Sequence, residues 1–209
     1  MRFLAFLRCS IGVCVCACTA TPLPEAPAAP SPDLIDTESG TSMNAFVGEA
    51  GSVDPDVIVR VWSLGDTIPP QDTRADDEGA FAIQPTGAGP FRFEALDDEG
   101  NRSAPLDLDG EANVLRADEC LRMATQLALE IDNADVISIE NGCGAPVDLM
   151  VEFRAPAPIE VSTAMVRVAN DDSIDLSVRA TEAAEEILRV QVSGAITETR
   201  AVTVFTVSP

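Results

Sequence analysis

The chain has 209 residues, 13 basic against 35 acidic side chains, a formal charge of −22 at pH 7, and neither histidine nor tyrosine; every basic residue is an arginine. A field of that sign repels nucleic acid and anionic headgroups. Without imidazole or amine there is no Ser-His-Asp, Cys-His or Schiff-base catalysis and no histidine-ligated zinc.

The opening stretch MRFLAFLRCSIGVCVCAC reads as an export signal. Arg2 and Arg8 make a positive n-region, and Cys9 to Ala17 a short apolar run. A membrane span needs about 20 apolar residues, and Arg8 interrupts this one. Val15-Cys16-Ala17-Cys18 has the pattern of a lipobox: a branched apolar residue, two small ones, then cysteine. Cys14 and Cys16 each follow a valine, which is too large for the position before cleavage. Removal of residues 1–17 and lipidation at Cys18 are therefore expected, with the lipid anchor as the only membrane contact. Thr19, rather than an aspartate, follows the cysteine, which favours the outer membrane of a bacterial cell envelope.

Residues 18–43 carry Pro22, Pro24, Pro27, Pro30 and Pro32 with Glu25, Asp33, Asp36 and Glu38 among them. Such a composition favours polyproline II and coil over a packed core. The expectation is a disordered Pro-rich tether, on the order of 75 Å long when fully extended.

From Asn44 the pattern becomes all-β. Val57, Val59 and Val61 alternate, as do Phe81 and Ile83, then Phe91, Phe93 and Ala95, with Asp77-Glu78-Gly79 and Asp98-Glu99-Gly100-Asn101 as turns. Three elements then carry a resemblance: Phe46-Val47-Gly48-Glu49-Ala50, Ala75-Asp76-Asp77-Glu78-Gly79-Ala80-Phe81, and the run from Phe93 through Asp97-Asp98-Glu99-Gly100-Asn101 to Ser103. In order and spacing these resemble bacterial Ig-like modules of adhesins and secreted repeat proteins. The resemblance implies an antiparallel β-sandwich over residues 44–110, with Gly79 and Gly100 in turns needing positive φ and Phe81 and Phe93 pointing inward. The segment from Leu64 to Asp72, with Pro69-Pro70, is longer than the tight turn usual in that family.

Residues 111–209 alternate again at Leu127, Leu129 and Ile131, at Val147 to Phe153, at Ile174 to Val178, at Val190 and Val192, and at Val202 and Val204. The stretches Asp118 to Ala124 and Glu182 to Leu188 leave a short helix and a strand equally open. Val136-Ile137-Ser138-Ile139-Glu140-Asn141-Gly142-Cys143-Gly144-Ala145-Pro146-Val147-Asp148-Leu149 resembles Ig-like modules of the abnormal-spindle/hydin type, implying a second sandwich. Once the signal is gone, Cys120 and Cys143 are the only cysteines besides Cys18. An even pair in an exported chain predicts a disulfide.

No nucleotide-binding or nucleophile-elbow motif occurs, and the chain is expected not to be an enzyme. Acidic clusters make calcium the one cofactor to consider, with Asp97, Asp107 and Asp109 as candidate ligands near the join of the two sandwiches. The clusters do not follow EF-hand spacing, and acidic turns facing water explain them as well. Trp62, on an alternating strand, is expected in the first sandwich's core. The segment from Leu106 to Asp118 is rich in acids and poor in apolar residues, so few contacts should cross it and the sandwiches should unfold independently. The resulting expectation is a non-catalytic, lipid-anchored envelope protein presenting Ig-like domains. A carbohydrate- or cell-wall-binding module and a calcium-rigidified surface module are the alternatives. The residues themselves name neither a protein nor a glycan partner.

Overall fold

The computed structural model describes residues 25–38 and 45–207. The signal, Cys18 and the remainder of the expected tether (19–24 and 39–43) lie outside the described residues. Apart from one 3-10 turn at Pro32–Leu34, every regular element is a strand.

The first sandwich contains β1 (Ile35–Glu38), β2 (Ala45–Gly48), β3 (Ile58–Ser63), β4 (Gln71–Arg74), β5 (Phe81–Ile83), β6 (Phe91–Leu96) and β7 (Leu106–Leu108). One sheet has the order β1-β2-β5 and the other β4-β3-β6-β7. Their inner faces supply Phe46, Val59, Val61, Phe81, Phe93 and Leu108 to a shared core. Phe46 meets Phe91 and Phe93 edge-on, with centroids 5.3 and 5.1 Å apart, the arrangement aromatic quadrupoles favour. Gly79 and Gly100 both have positive φ in the turns that follow the acidic runs.

The second sandwich contains β8 (Leu121–Met123), β9 (Gln126–Glu130), β10 (Ala134–Asn141), β11 (Val147–Phe153), β12 (Ile159–Val161), β13 (Met165–Val168), β14 (Asp172–Ala180), β15 (Glu185–Gly194) and β16 (Glu198–Val207). Its sheets run β12-β14-β10-β8 and β13-β11-β15-β16-β9. Ile137, Ile139, Leu149, Leu176, Val190 and Val204 are among the side chains that fill the space between them. The two stretches left open between helix and strand are extended: they contribute β8 and the start of β15. Pairing is antiparallel throughout except where β9 lies parallel to β16. The chain leaves β8 in one sheet and crosses at Ala124–Thr125 to the edge of the other, arriving there in the direction of β16.

The tether expectation fails from about Ala28 onward. The Ala28 amide donates to Asp54, the Ser31 amide to the Ser52 carbonyl, and β1 pairs with β2 from Ile35↔Gly48 to Glu38↔Ala45. Ile35 is buried in the first core. One apolar side chain among prolines and acids gives no periodic signal, yet it is enough to seat a four-residue edge strand on β2.

Cys120 and Cys143 are bonded, with Cα atoms 4.8 Å apart. They flank the paired ends of β8 and β10, where Leu121 lies opposite Asn141. The bond thus pins two neighbouring strands of one sheet rather than bridging the sandwich. Beside it the buried Asn141 amide donates to the carbonyls of Ala145, Val168 and Ala169, and its oxygen accepts from the Cys143 amide. Reduction is expected to lower stability by roughly 3 kcal/mol in the chain-entropy account of a loop this long. Urea denaturation with and without reductant measures it, and an unchanged midpoint would show that the strand ends hold without the bond.

Candidate functional site

The outer faces of β3 and β6 and of β15 and β16 are not solvated. All six residues of β6 are buried, whereas a strand with one face in water would alternate. Phe91, Phe93 and Ala95 face the first core, and Arg92 and Glu94 face the second sandwich. The two sandwiches stack through these outer faces into four layers of sheet.

The joint between them is built from charge. Glu94, 0% exposed, receives hydrogen bonds from Arg102 at 3.0 Å, from Gln126 at 3.2 Å and from the Thr203 hydroxyl. Arg102 also reaches Glu185 at 2.7 Å and lies over the Phe205 ring. Glu185 accepts from Arg60 at 2.6 Å, and Arg60 holds Asp72 through two further bonds. That pairing with Asp72, helped by the charge of Glu185, pushes the Arg60 guanidinium above its ordinary value despite its partial burial. Arg92, 1% exposed, grips Asp107 at 2.7 and 2.8 Å and donates across the joint to the carbonyls of Thr125 and Ala201 and to Thr203. Each buried charge therefore has partners, the condition under which a buried polar network specifies one arrangement.

A small apolar cluster sits within this network. Trp62, 1% exposed, packs with Ile187 and Ala201 of the second sandwich and with Leu64. Arg154, itself paired with Glu186 at 2.8 Å, lies 5.0 Å from the Trp62 ring. Trp62 is thus not in the first sandwich's core. On β3 it takes the opposite face from Val59 and Val61. The long Leu64 to Pro70 connection also serves the joint: its carbonyls at Asp66 and Ile68 accept from Arg154, and that of Leu64 from Arg189. The expectation of few contacts between the sandwiches is overturned. It rested on the connecting segment, while the contact is made by sheet faces.

The acidic candidates have other employment. Asp76, Asp97 and Asp109 each begin the same five-residue turn. One carboxylate oxygen accepts the amides two and four residues on, at 2.8–3.0 Å, and the residue between (Gly79, Gly100, Ala112) has positive φ. The Asn101 side-chain amide and neighbouring backbone N–H groups hold the Asp97 carboxyl below the usual carboxylate range. The Asn113 amide does the same for Asp109. Asp107 is the partner of Arg92. The structure therefore places Asp97, Asp107 and Asp109 in separate local roles, and among the described residues no three acids or cysteines are grouped as a metal site.

Beside the joint an open cleft of about 500 Å³ lies between the Leu64–Gly65 and Pro90 region of the first sandwich, the connecting segment Leu115–Ala117, and the outer face of β15 and β16. Sequence reasoning missed the joint and the cleft alike. Arg60, Arg92, Glu94 and Arg189 occupy alternating positions that a solvated face would also fill with charge.

No family profile and no curated protein matches the sequence. Among solved structures the chain is similar to a protein of unknown function from Porphyromonas gingivalis W83, at 12% identity over 82% of this chain and 95% of that one, with a TM-score of 0.36. It is also similar to the D0-D1 domain of intimin, at 12% identity over 86% and 94% with a TM-score of 0.32. A third is the ASH/PapD-like domain of human CEP192, at 9% identity over 43% and 87% with a TM-score of 0.35. Likenesses at this level bear on neither ligand nor activity. The all-β, two-sandwich architecture stands on the sheet topology itself.

Proposed function

We propose that this chain is a non-catalytic envelope protein, lipid-anchored at Cys18, whose two sandwiches act as one rigid body presenting a binding surface above a membrane. The buried joint of paired arginines and carboxylates carries this reading. It couples the sandwiches into a single presenting unit, and its acids are held by arginines rather than poised as acid and base. The rigidity that calcium would supply at such a junction is supplied by Arg60, Arg92 and Arg102. With the folded part beginning near Ala28, about ten residues separate it from Cys18, and a chain of that length spans at most about 35 Å. The body therefore stands close to the surface that anchors it.

Expression of a Cys18→Ala variant followed by cell fractionation tests the anchor. The parent is expected with membranes and the variant in the soluble fraction. A variant that still partitions with membranes as the parent does would overturn the lipid anchor.

A further inference from the structure

The cleft beside the joint is where the chain's charge balance reverses. Arg92, Arg116, Arg189 and Arg200 line it against two acids, Asp107 and Glu198, in a chain whose acids outnumber its arginines 35 to 13. Both acids are already held, Asp107 by Arg92 and Glu198 by Arg200 at 2.6 Å. Among the described residues neither Arg116 nor Arg189 has a carboxylate partner. Arg189 donates to the Leu64 carbonyl, and its Nε is buried with no partner. Arg116 is exposed. The remaining wall is largely apolar, with Leu64, Pro90, Leu115 and Met123.

We propose that this cleft binds a small organic anion, an acidic head on an apolar body, with Arg116 and Arg189 pairing the head. Guanidinium groups take planar acids through two parallel hydrogen bonds, and such charge-assisted bonds are about twice as strong as neutral ones. The apolar wall accounts for the body, and the volume is within the range of small-molecule sites. An exposed arginine that merely offsets the protein's negative field would explain Arg116. It does not explain Arg189, which lies partly buried on a sheet face at the cleft wall with no carboxylate partner. The −22 field opposes any anion at long range, so capture here depends on contact with these two side chains. The site goes beyond the presenting role and does not depend on the anchor, since it is formed entirely by the folded body.

The test uses the ¹⁵N-labelled full-length chain carrying Cys18→Ser, titrated with 4-phenylbutyrate and separately with its neutral amide, 4-phenylbutyramide. Saturable NMR shifts are expected at Leu64, at Leu115 to Ala117 and at Met123 to Thr125, with the acid binding about tenfold more tightly than the amide. Arg116→Gln, an exposed substitution that leaves the joint intact, should weaken the acid by about tenfold and leave the amide unchanged, while Arg116→Lys should retain most of the difference. Arg189→Gln should also weaken the acid selectively. Equal affinity for acid and amide, shifts confined to other surfaces, or an Arg116→Gln protein that binds the acid as the parent does would each overturn the proposal.

Discussion

Glu94→Ala is expected to destabilise the protein by about 3–5 kcal/mol, the cost of removing one partner from a buried charge pair. The carboxylate is the centre on which Arg102, Gln126 and Thr203 converge from three strands or their connections. Its loss leaves the Arg102 guanidinium, only 8% exposed, with Glu185 alone. It also strands the Thr203 hydroxyl, which already accepts from Arg92. Glu94→Gln keeps the shape and a neutral acceptor and should cost less. A double replacement, Glu94→Leu with Arg102→Met, should recover much of the loss, because an apolar pair of similar volume avoids desolvating two charges. Urea denaturation of the three variants gives the comparison. A loss below about 1 kcal/mol in Glu94→Ala would place Glu94 in water in solution and the joint open.

The strands themselves were legible in the sequence. Alternation at Val57–Val61, Phe91–Ala95, Val147–Phe153 and Val202–Val204 locates the inward faces of β3, β6, β11 and β16, because one buried face imposes period two whatever lies on the other side. The turns were legible as well: an aspartate with glycine three residues later supplies both the acceptor and the positive φ that the hairpin requires. What alternation does not report is the fate of the outward face. Arg60, Arg92, Glu94 and Arg189 read equally as solvated charges or as a joint, and only the pairing of two distant faces distinguishes the readings. β1 escaped for a different reason, since a single inward side chain, Ile35, has no period. The departure at Leu64–Asp72 was visible as an overlong connection, but its use lay in backbone carbonyls, which carry no sequence signature. Acid-rich turns suggested calcium because composition shows how many carboxylates are present and not how many lone pairs are already taken.

The second large effect concerns Trp62. With the joint closed, the two sandwiches are expected to unfold together, contrary to what the acidic connecting segment suggests. The chain has one tryptophan, and it sits at the joint, so its emission reports the joint alone while far-UV circular dichroism reports both sandwiches. The two signals should coincide through urea denaturation, the signature of a single cooperative transition. Trp62→Ala removes the largest side chain of the apolar cluster at the joint and leaves the Arg154 guanidinium without the ring beneath it. The expected cost is about 3–5 kcal/mol, the range for truncating a buried aromatic. Calorimetry should then resolve two transitions where the parent shows one. Trp62→Phe should cost much less, because the indole Nε1 is buried without a hydrogen-bond partner and its loss strands no acceptor. If tryptophan emission in the parent changes well before the circular dichroism signal, the joint opens ahead of the sandwiches and the body is not rigid. If it changes with it, the charged faces of β3, β6, β15 and β16 are as much part of the folded unit as either hydrophobic core.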